Sequence, residues 1–131
     1  MRAYHKDKTL PSTTQHIFVF GSNFAGRHGK GAALVASKQF RAERGVGEGR
    51  TGNAYAIPTK NERLRVINLN EIRISVFKFI EYAHQNPNDR FFITRVGCDL
   101  AGYQNADIAP MFSLAPLNCS FPEEWKEYFD V

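Results

Sequence analysis

The chain is poor in cysteine and tryptophan, and it has no long apolar run. Two cysteines among 131 residues, Cys98 and Cys119, are too few for a disulfide framework. Together with four scattered histidines they show no metal-ligand spacing, so neither a metal nor another cofactor is expected. No apolar stretch approaches the roughly 18 residues of a spanning helix, which excludes a membrane segment of that kind. The first residues mix Arg2, His5, Lys6, Asp7 and Lys8 with polar side chains and lack the apolar core of a secretory signal. There is no repeat and no low-complexity tract. These absences lead to the expectation of a soluble, reduced, cytoplasmic protein. Residues 1–14 read as a loosely held N-terminal extension, and residues 15–131 as a single domain.

Hydrophobic residues make up 43% and charged residues 23%, a globular rather than a disordered balance. A chain of this size buries roughly two thirds of its unfolded surface, enough for a core without staples. The formal net charge is +4. Between residues 27 and 50 six basic residues stand against two carboxylates, whereas residues 122–131 hold one lysine and four carboxylates. The positive excess therefore surrounds a glycine-rich segment, where it would attract a phosphate-bearing small ligand or a nucleic acid. Charge alone does not choose between them.

Ile17, Phe18, Val19 and Phe20 form a β-favouring run, apolar on both faces, as in a central strand covered on both sides. Residues 31–44 read as a helix with Ala33, Leu34, Ser37 and Phe40 at helical spacing and Gly45 as its stop. Four glycines within residues 45–52 predict a loop. Tyr55, Ala56 and Ile57 predict a short strand that ends at Pro58, and residues 64–69 fit either a strand or an extended connection. Asn70 would cap a helix over residues 71–85, whose inner face is Ile72, Val76, Phe79, Ile80 and Ala83. Residues 91–96 are a second clear strand. Helices follow over residues 108–115 and 122–129, the last framed by Ser120 and Glu123 at capping-box spacing, with Trp125 docking it. Alternating strands and helices make an α/β layered domain.

Each clear strand runs into a glycine-punctuated loop and then a helix. The first loop holds Gly21, Ser22, Asn23, Gly26, Gly29, Lys30 and Gly31; the second holds Gly97, Cys98, Asp99, Leu100, Ala101, Gly102 and Tyr103. Ligands of open α/β sheets collect beyond the carboxyl ends of strands, where glycines let main-chain N–H groups and helix N-termini approach an anion. Tight turns alone would also explain such glycines. The spacing of Gly26, Gly29 and Gly31 is not the dinucleotide fingerprint, and Lys30 precedes Gly31 rather than Ser or Thr, which excludes a P-loop.

On these residues the chain resembles the macro domains. Residues 20–33, with Asn23 and spaced glycines, look like their first ligand loop, and residues 93–103 are similar to their phosphate-cradling loop. Residues 52–58 resemble the strand between them, so the likeness spans residues 16–112. The resemblance implies a three-layer α/β/α sheet with helices on both faces and a crevice for ADP-ribose or a related nucleotide. In some members it further implies hydrolysis of an ADP-ribosyl linkage. Carried over by position, Asn23 would bond the distal ribose, and Gly29 and Gly31 would lie over the ribose-phosphate. Residues 97–102 would wrap the diphosphate, and Tyr103 would stack near the distal sugar or close the pocket. Two features depart from the family pattern: Arg27, His28 and Lys30 are inserted in the first loop, and Asp99 stands where glycine is usual.

Several residues keep two readings. His28 is either a phosphate contact and acid/base group or a solvent-facing loop histidine. Asn23 serves as a ligand contact or as a turn residue. Asp99 activates a water, selects a ligand with fewer phosphates, or is a plain loop carboxylate. Cys98 fits a small buried thiol better than a nucleophile. Beside the nucleotide-binding reading stand two others. One is a nucleic-acid module using Arg27, Lys30, Lys38, Arg41, Arg44 and Arg50, and the other is a non-catalytic partner-binding protein.

Overall fold

The computed structural model describes residues 1–129; Asp130 and Val131, the last two residues of the expected domain and of the acidic terminus, lie outside the described residues. Six strands form one sheet in the order β1-β6-β5-β2-β4-β3. They are β1 (Ala3–His5), β2 (Ile17–Asn23), β3 (Gly49–Thr51), β4 (Ala54–Lys60), β5 (Phe91–Ile93) and β6 (Cys119–Pro122). All neighbours are parallel except β3, which runs antiparallel to β4. The helices are α1 (Gly31–Gln39), α2 (Leu69–Gln85) and α3 (Asn105–Ile108), with 3₁₀ turns at Ala109–Phe112 and Glu123–Tyr128.

Period-two alternation in the central strands feeds two cores, one on each face. Ile17 and Val19 of β2, Tyr55 and Ile57 of β4, and Phe91 and Ile93 of β5 pack against α2 and the C-terminal segments. Phe18 and Phe20, Ala54 and Ala56, and Phe92 face α1, whose Ala33 and Ala36 let the helix lie close to the sheet. The result is the three-layer α/β/α arrangement. Among the described residues α1 is the helix of the second face, where His5 of the N-terminal segment also stacks on Phe92.

Local differences from the sequence reading have physical causes. The N-terminal segment is not merely an extension: Ala3, Tyr4 and His5 pair with Ser120, Phe121 and Pro122 as the edge strand. His5 adds bonds to Ser120 Oγ at 2.7 Å and to the Ile93 carbonyl at 2.9 Å, and its ring stacks on Phe92. α1 ends at Gln39, five residues before the expected end at Arg44, because Phe40 turns inward to stack on Phe18 at 4.6 Å. Arg41 then takes a left-handed φ of 60°. Part of the glycine-rich stretch is recruited as β3. β4 passes through Pro58 because the β3 pairing stops at Ala56, leaving an edge on that side where a missing N–H is tolerated.

The cap of α2 is Asn68, not Asn70: its Oδ1 accepts the Glu71 N–H at 2.9 Å. Residues 64–69 are mostly connection, with one bridge from Lys60 to Val66. β5 stops at Ile93, and the helix expected over residues 108–115 starts earlier, at Asn105. Ser120 belongs to β6 rather than to a capping box, and the last segment is a 3₁₀ turn docked by the fully buried Trp125. Among the described residues no helix is long and apolar enough to cross a membrane.

Candidate functional site

β2 and β5 are hydrogen-bonded neighbours running in the same direction, so their carboxyl ends deliver the two glycine loops to one place. The approach is close. A methyl group on Gly21 would lie 3.5 Å from the Gly97 nitrogen, and one on Gly31 would lie 3.4 Å from Leu100 Cδ1. Gly97 holds a left-handed φ of 77°, which turns the chain sharply off β5. Between the loops opens a cleft of about 730 Å³.

Nine of the expected site residues line this cleft: Gly21, Ser22, Asn23, Gly29, Gly31, Gly97, Asp99, Leu100 and Ala101. Its main-chain chemistry is that of an anion cradle. The amides of Gly97, Asp99, Leu100 and Ala101 donate to no protein acceptor among the described residues. Neither do those of Gly31, Ala32 and Ala33, because Lys30 at the N-cap of α1 makes no side-chain cap bond. An uncapped helix N-terminus therefore opens beside a loop of unpaired N–H groups. Among the described residues the cleft also holds the cations Lys8, Arg27, Lys30, Lys60 and Arg95 against two carboxylates, Asp7 and Asp99, which makes its lining electropositive.

Other expected residues lie elsewhere or are already engaged. His28 is not in the cleft lining. It is buried, 8% exposed, with its ring edge-on to Phe20 and Nε2 bonded to the Glu43 carbonyl at 3.0 Å. The inserted histidine thus packs the loop onto the second core, and an acid/base role in the cleft is not supported by its position. Asn23 borders the cleft, but its amide closes the loop on itself. Nδ2 donates to the Arg27 carbonyl at 2.9 Å, and Oδ1 accepts the Arg27 N–H at 3.0 Å.

Gly26 is buried under the loop, with its N–H on the Asn23 carbonyl and its carbonyl taking the Gly45 N–H. Cys98 packs against the first core, and burial pushes its thiol up to about 11 despite the nearby Arg95. A nucleophilic thiolate is disfavoured there. Gly102 and Tyr103 spend their amides inside the loop, on the Asp99 and Gly97 carbonyls. The Tyr103 hydroxyl donates to the Ile67 carbonyl at 2.6 Å, so the ring fastens the second loop to the connection before α2 instead of meeting a ligand. The Ser22 hydroxyl is likewise engaged, donating to the Gly47 carbonyl.

The sequence reading missed the N-terminal wall. His5, Asp7, Lys8, Thr9 and Leu10 all line the cleft, as do Thr59, Lys60 and Phe92. Burial pushes the His5 imidazole down to about 4, outweighing the opposing pull of the Ile93 carbonyl and Asp7. The basic stretch over residues 27–50 does not act as one patch. Arg27 and Lys30 belong to the cleft, whereas Arg50 turns to the Tyr82 hydroxyl and Asp89.

No family model matches the chain, and no curated protein matches it. Solved structures do. The macrodomain of Mycobacterium tuberculosis DarG superposes with a TM-score of 0.67 at 17% identity, covering 93% of this chain and 97% of that one. Thermosipho africanus DarTG in complex with ADP-ribose gives 0.60 at 16% identity, covering 86% of this chain and 39% of that one. A protein of unknown function from Bacteroides thetaiotaomicron gives 0.61 at 15% identity, with 93% and 97% covered. At such identities the likeness speaks for architecture alone. Strand order, the two cores and these superpositions agree that the chain has a macrodomain-like fold.

Proposed function

We propose that the cleft binds ADP-ribose or a closely related nucleotide derivative, with the diphosphate held between the two glycine loops. The observation that carries this reading is the set of unpaired main-chain amides at residues 31–33, 97 and 99–101, on two loops that meet over one electropositive cleft. Such amides match a diphosphate, which offers many acceptor oxygens and two negative charges at short spacing. The apolar wall of Phe18, Ala33, Val35 and Phe92 suits a base or ribose carbon skeleton beside it. The fold shared with a DarTG structure that contains ADP-ribose supports the same ligand class.

Hydrolysis of an ADP-ribosyl linkage is the reaction this arrangement would host. Asp99 is the exposed carboxylate of the second loop, borders the cleft and can take a proton from an attacking water. Asn23 shapes the neighbouring loop through Arg27. Isothermal calorimetry with ADP-ribose, NAD and cyclic ADP-ribose isomers tests binding, and absence of heat with all of them at millimolar concentration removes the reading. Asp99→Gly separates binding from turnover. Tighter ADP-ribose binding with lost hydrolysis assigns the carboxylate to catalysis, while unchanged behaviour in both returns it to the solvent-facing surface.

A further inference from the structure

Arg95 differs from the other cations of the cleft. Lys8, Arg27 and Lys30 are exposed and Lys60 is half-buried with no side-chain partner among the described residues, whereas the Arg95 side chain keeps 26% of its exposure and is held at two points. Its Nε–H donates to Asn105 Oδ1 at 3.0 Å, and Nη1 donates to Asp7 Oδ2 at 3.3 Å. Asn105 Oδ1 also accepts the Trp125 indole N–H at 2.9 Å, so the guanidinium is braced from below. Nη2 has no hydrogen-bond partner among the described residues, and Arg95 lines the cleft. The second loop begins two residues later, at Gly97.

Asp7 sits on the arm that leaves β1, and Asp7, Lys8, Thr9 and Leu10 form one wall of the cleft. Few bonds hold this arm. Thr9 bonds back to the Lys6 carbonyl within the arm itself. Among the described residues, the Asp7–Arg95 pair is the one polar bond between residues 6–12 and the rest of the protein, and Thr13 then bonds to the Gln15 N–H and to His16 where the arm rejoins the fold. A second cavity of about 600 Å³ lies on the arm's other side, sharing His5, Thr9, Leu10 and Phe92 with the first. Packing beneath the arm is therefore incomplete, and over residues 6–12 the ion pair is its polar fastening.

Resting on the anionic-nucleotide reading above, we propose that Arg95 is the side-chain anion contact of the cleft and Asp7 its resting counter-ion. A phosphate-bearing ligand exchanges with Asp7 and frees the arm. A phosphate offers a planar guanidinium two parallel N–H···O bonds, whereas Asp7 offers a single contact at 3.3 Å. Asp7 is in this way a specificity-determining residue. It keeps the half-buried cation neutralised when the cleft holds no ligand, and it opposes anions that cannot displace it. Because coupling is reciprocal, a freed arm in turn favours the ligand.

The test uses the full chain and Asp7→Asn, which keeps the side-chain shape and removes the charge. Backbone NMR relaxation reads the arm, and calorimetry reads the ligand. In the ligand-free variant the amides of residues 6–10 should fall from rigid order parameters of about 0.85 to below about 0.6, with α2 unchanged. ADP-ribose should bind the variant roughly fivefold more tightly, the effect of a modest ion pair. Saturating ADP-ribose should loosen the same amides in the wild type.

An arm equally ordered in the ligand-free variant overturns the proposal, and so does an arm that ADP-ribose makes more rigid. ADP-ribose binding that Asp7→Asn leaves unchanged or weakens overturns it as well. Absence of ADP-ribose heat from both proteins sinks the nucleotide reading alone. Sodium pyrophosphate then serves as the bare anion, and pyrophosphate that binds neither protein, or leaves the arm ordered, overturns the exchange at Arg95.

Discussion

Replacing Gly47 with alanine tests whether the first loop is set by contact between main chains. The added methyl would lie 2.2 Å from the Asn23 carbonyl oxygen and 2.9 Å from Phe24 Cα. Ordinary carbon–oxygen contacts are no closer than roughly 3.3 Å, so the segments must separate by about 1 Å. No flexible side chain can absorb this. The Asn23 carbonyl also takes the Gly26 N–H at 3.0 Å, the Phe24 N–H is bonded to the Lys60 carbonyl at 2.9 Å, and Ser22 donates to the Gly47 carbonyl. Overpacking costs roughly 1–3 kcal/mol, and against main chain the upper end applies. For a domain of this size about 3 kcal/mol lowers the melting temperature by roughly 10 °C. Gly29 is the control. It borders the cleft, has open space within 4 Å of an added methyl and lies outside the left-handed region. Gly29→Ala should stay within about 0.5 kcal/mol of wild type. Differential scanning calorimetry compares the two. A Gly47→Ala protein that melts within about 2 °C of wild type, or a Gly29→Ala protein that melts as low as the Gly47 variant is expected to, refutes the reasoning.

Three further outcomes follow from the same geometry. His5, lowered from 6.5 to about 4 by burial, refuses a proton that the unfolded chain accepts between those values. Its contribution is therefore complete above about pH 6.5 and is lost as the pH falls toward 4. The full shift corresponds to roughly 3 kcal/mol, which solvent screening of a half-buried ring reduces to roughly 1–2 kcal/mol. Urea denaturation of wild type and His5→Gln at pH 7.5 and 4.5 should show the larger loss in wild type, and parallel losses would refute it. Tyr103→Phe removes the bond to the Ile67 carbonyl and should lower stability by roughly 1 kcal/mol while leaving ADP-ribose affinity within twofold. A large affinity loss without a stability change would return the ring to the ligand. Cys98 and Cys119, pushed up to about 11 and about 12 by burial, should react with a disulfide reagent at pH 8 roughly a hundredfold more slowly in the native protein than after denaturation. A rapid native burst from either thiol would show that it is not shielded.

The parts of the fold legible in the sequence were those set by local pattern. Ile17, Phe18, Val19 and Phe20 show a two-faced strand, and the α2 stripe from Ile72 to Ala83 is the face that packs. The glycines after β2 and β5 mark the loops that converge. What stayed hidden depends on pairing over long separations. β1 and β6 have three and four residues, and each becomes a strand because the other lies alongside it. No window of sequence near Ala3 or Cys119 contains that information. The same reason hides the N-terminal wall, since Asp7 meets Arg95 across 88 positions. His28 and Asn23 show the complementary limit: their placement in the loop was readable, but the atoms that their polar groups bond were not.

The chain has one tryptophan, and the bond from its indole to Asn105, which also receives Arg95, carries a practical consequence. Trp125 lies in the C-terminal turn, far along the sequence from the cleft, yet one amide oxygen separates it from the guanidinium there. Its emission is a built-in optical probe of what happens at Arg95, with no label to perturb the loops.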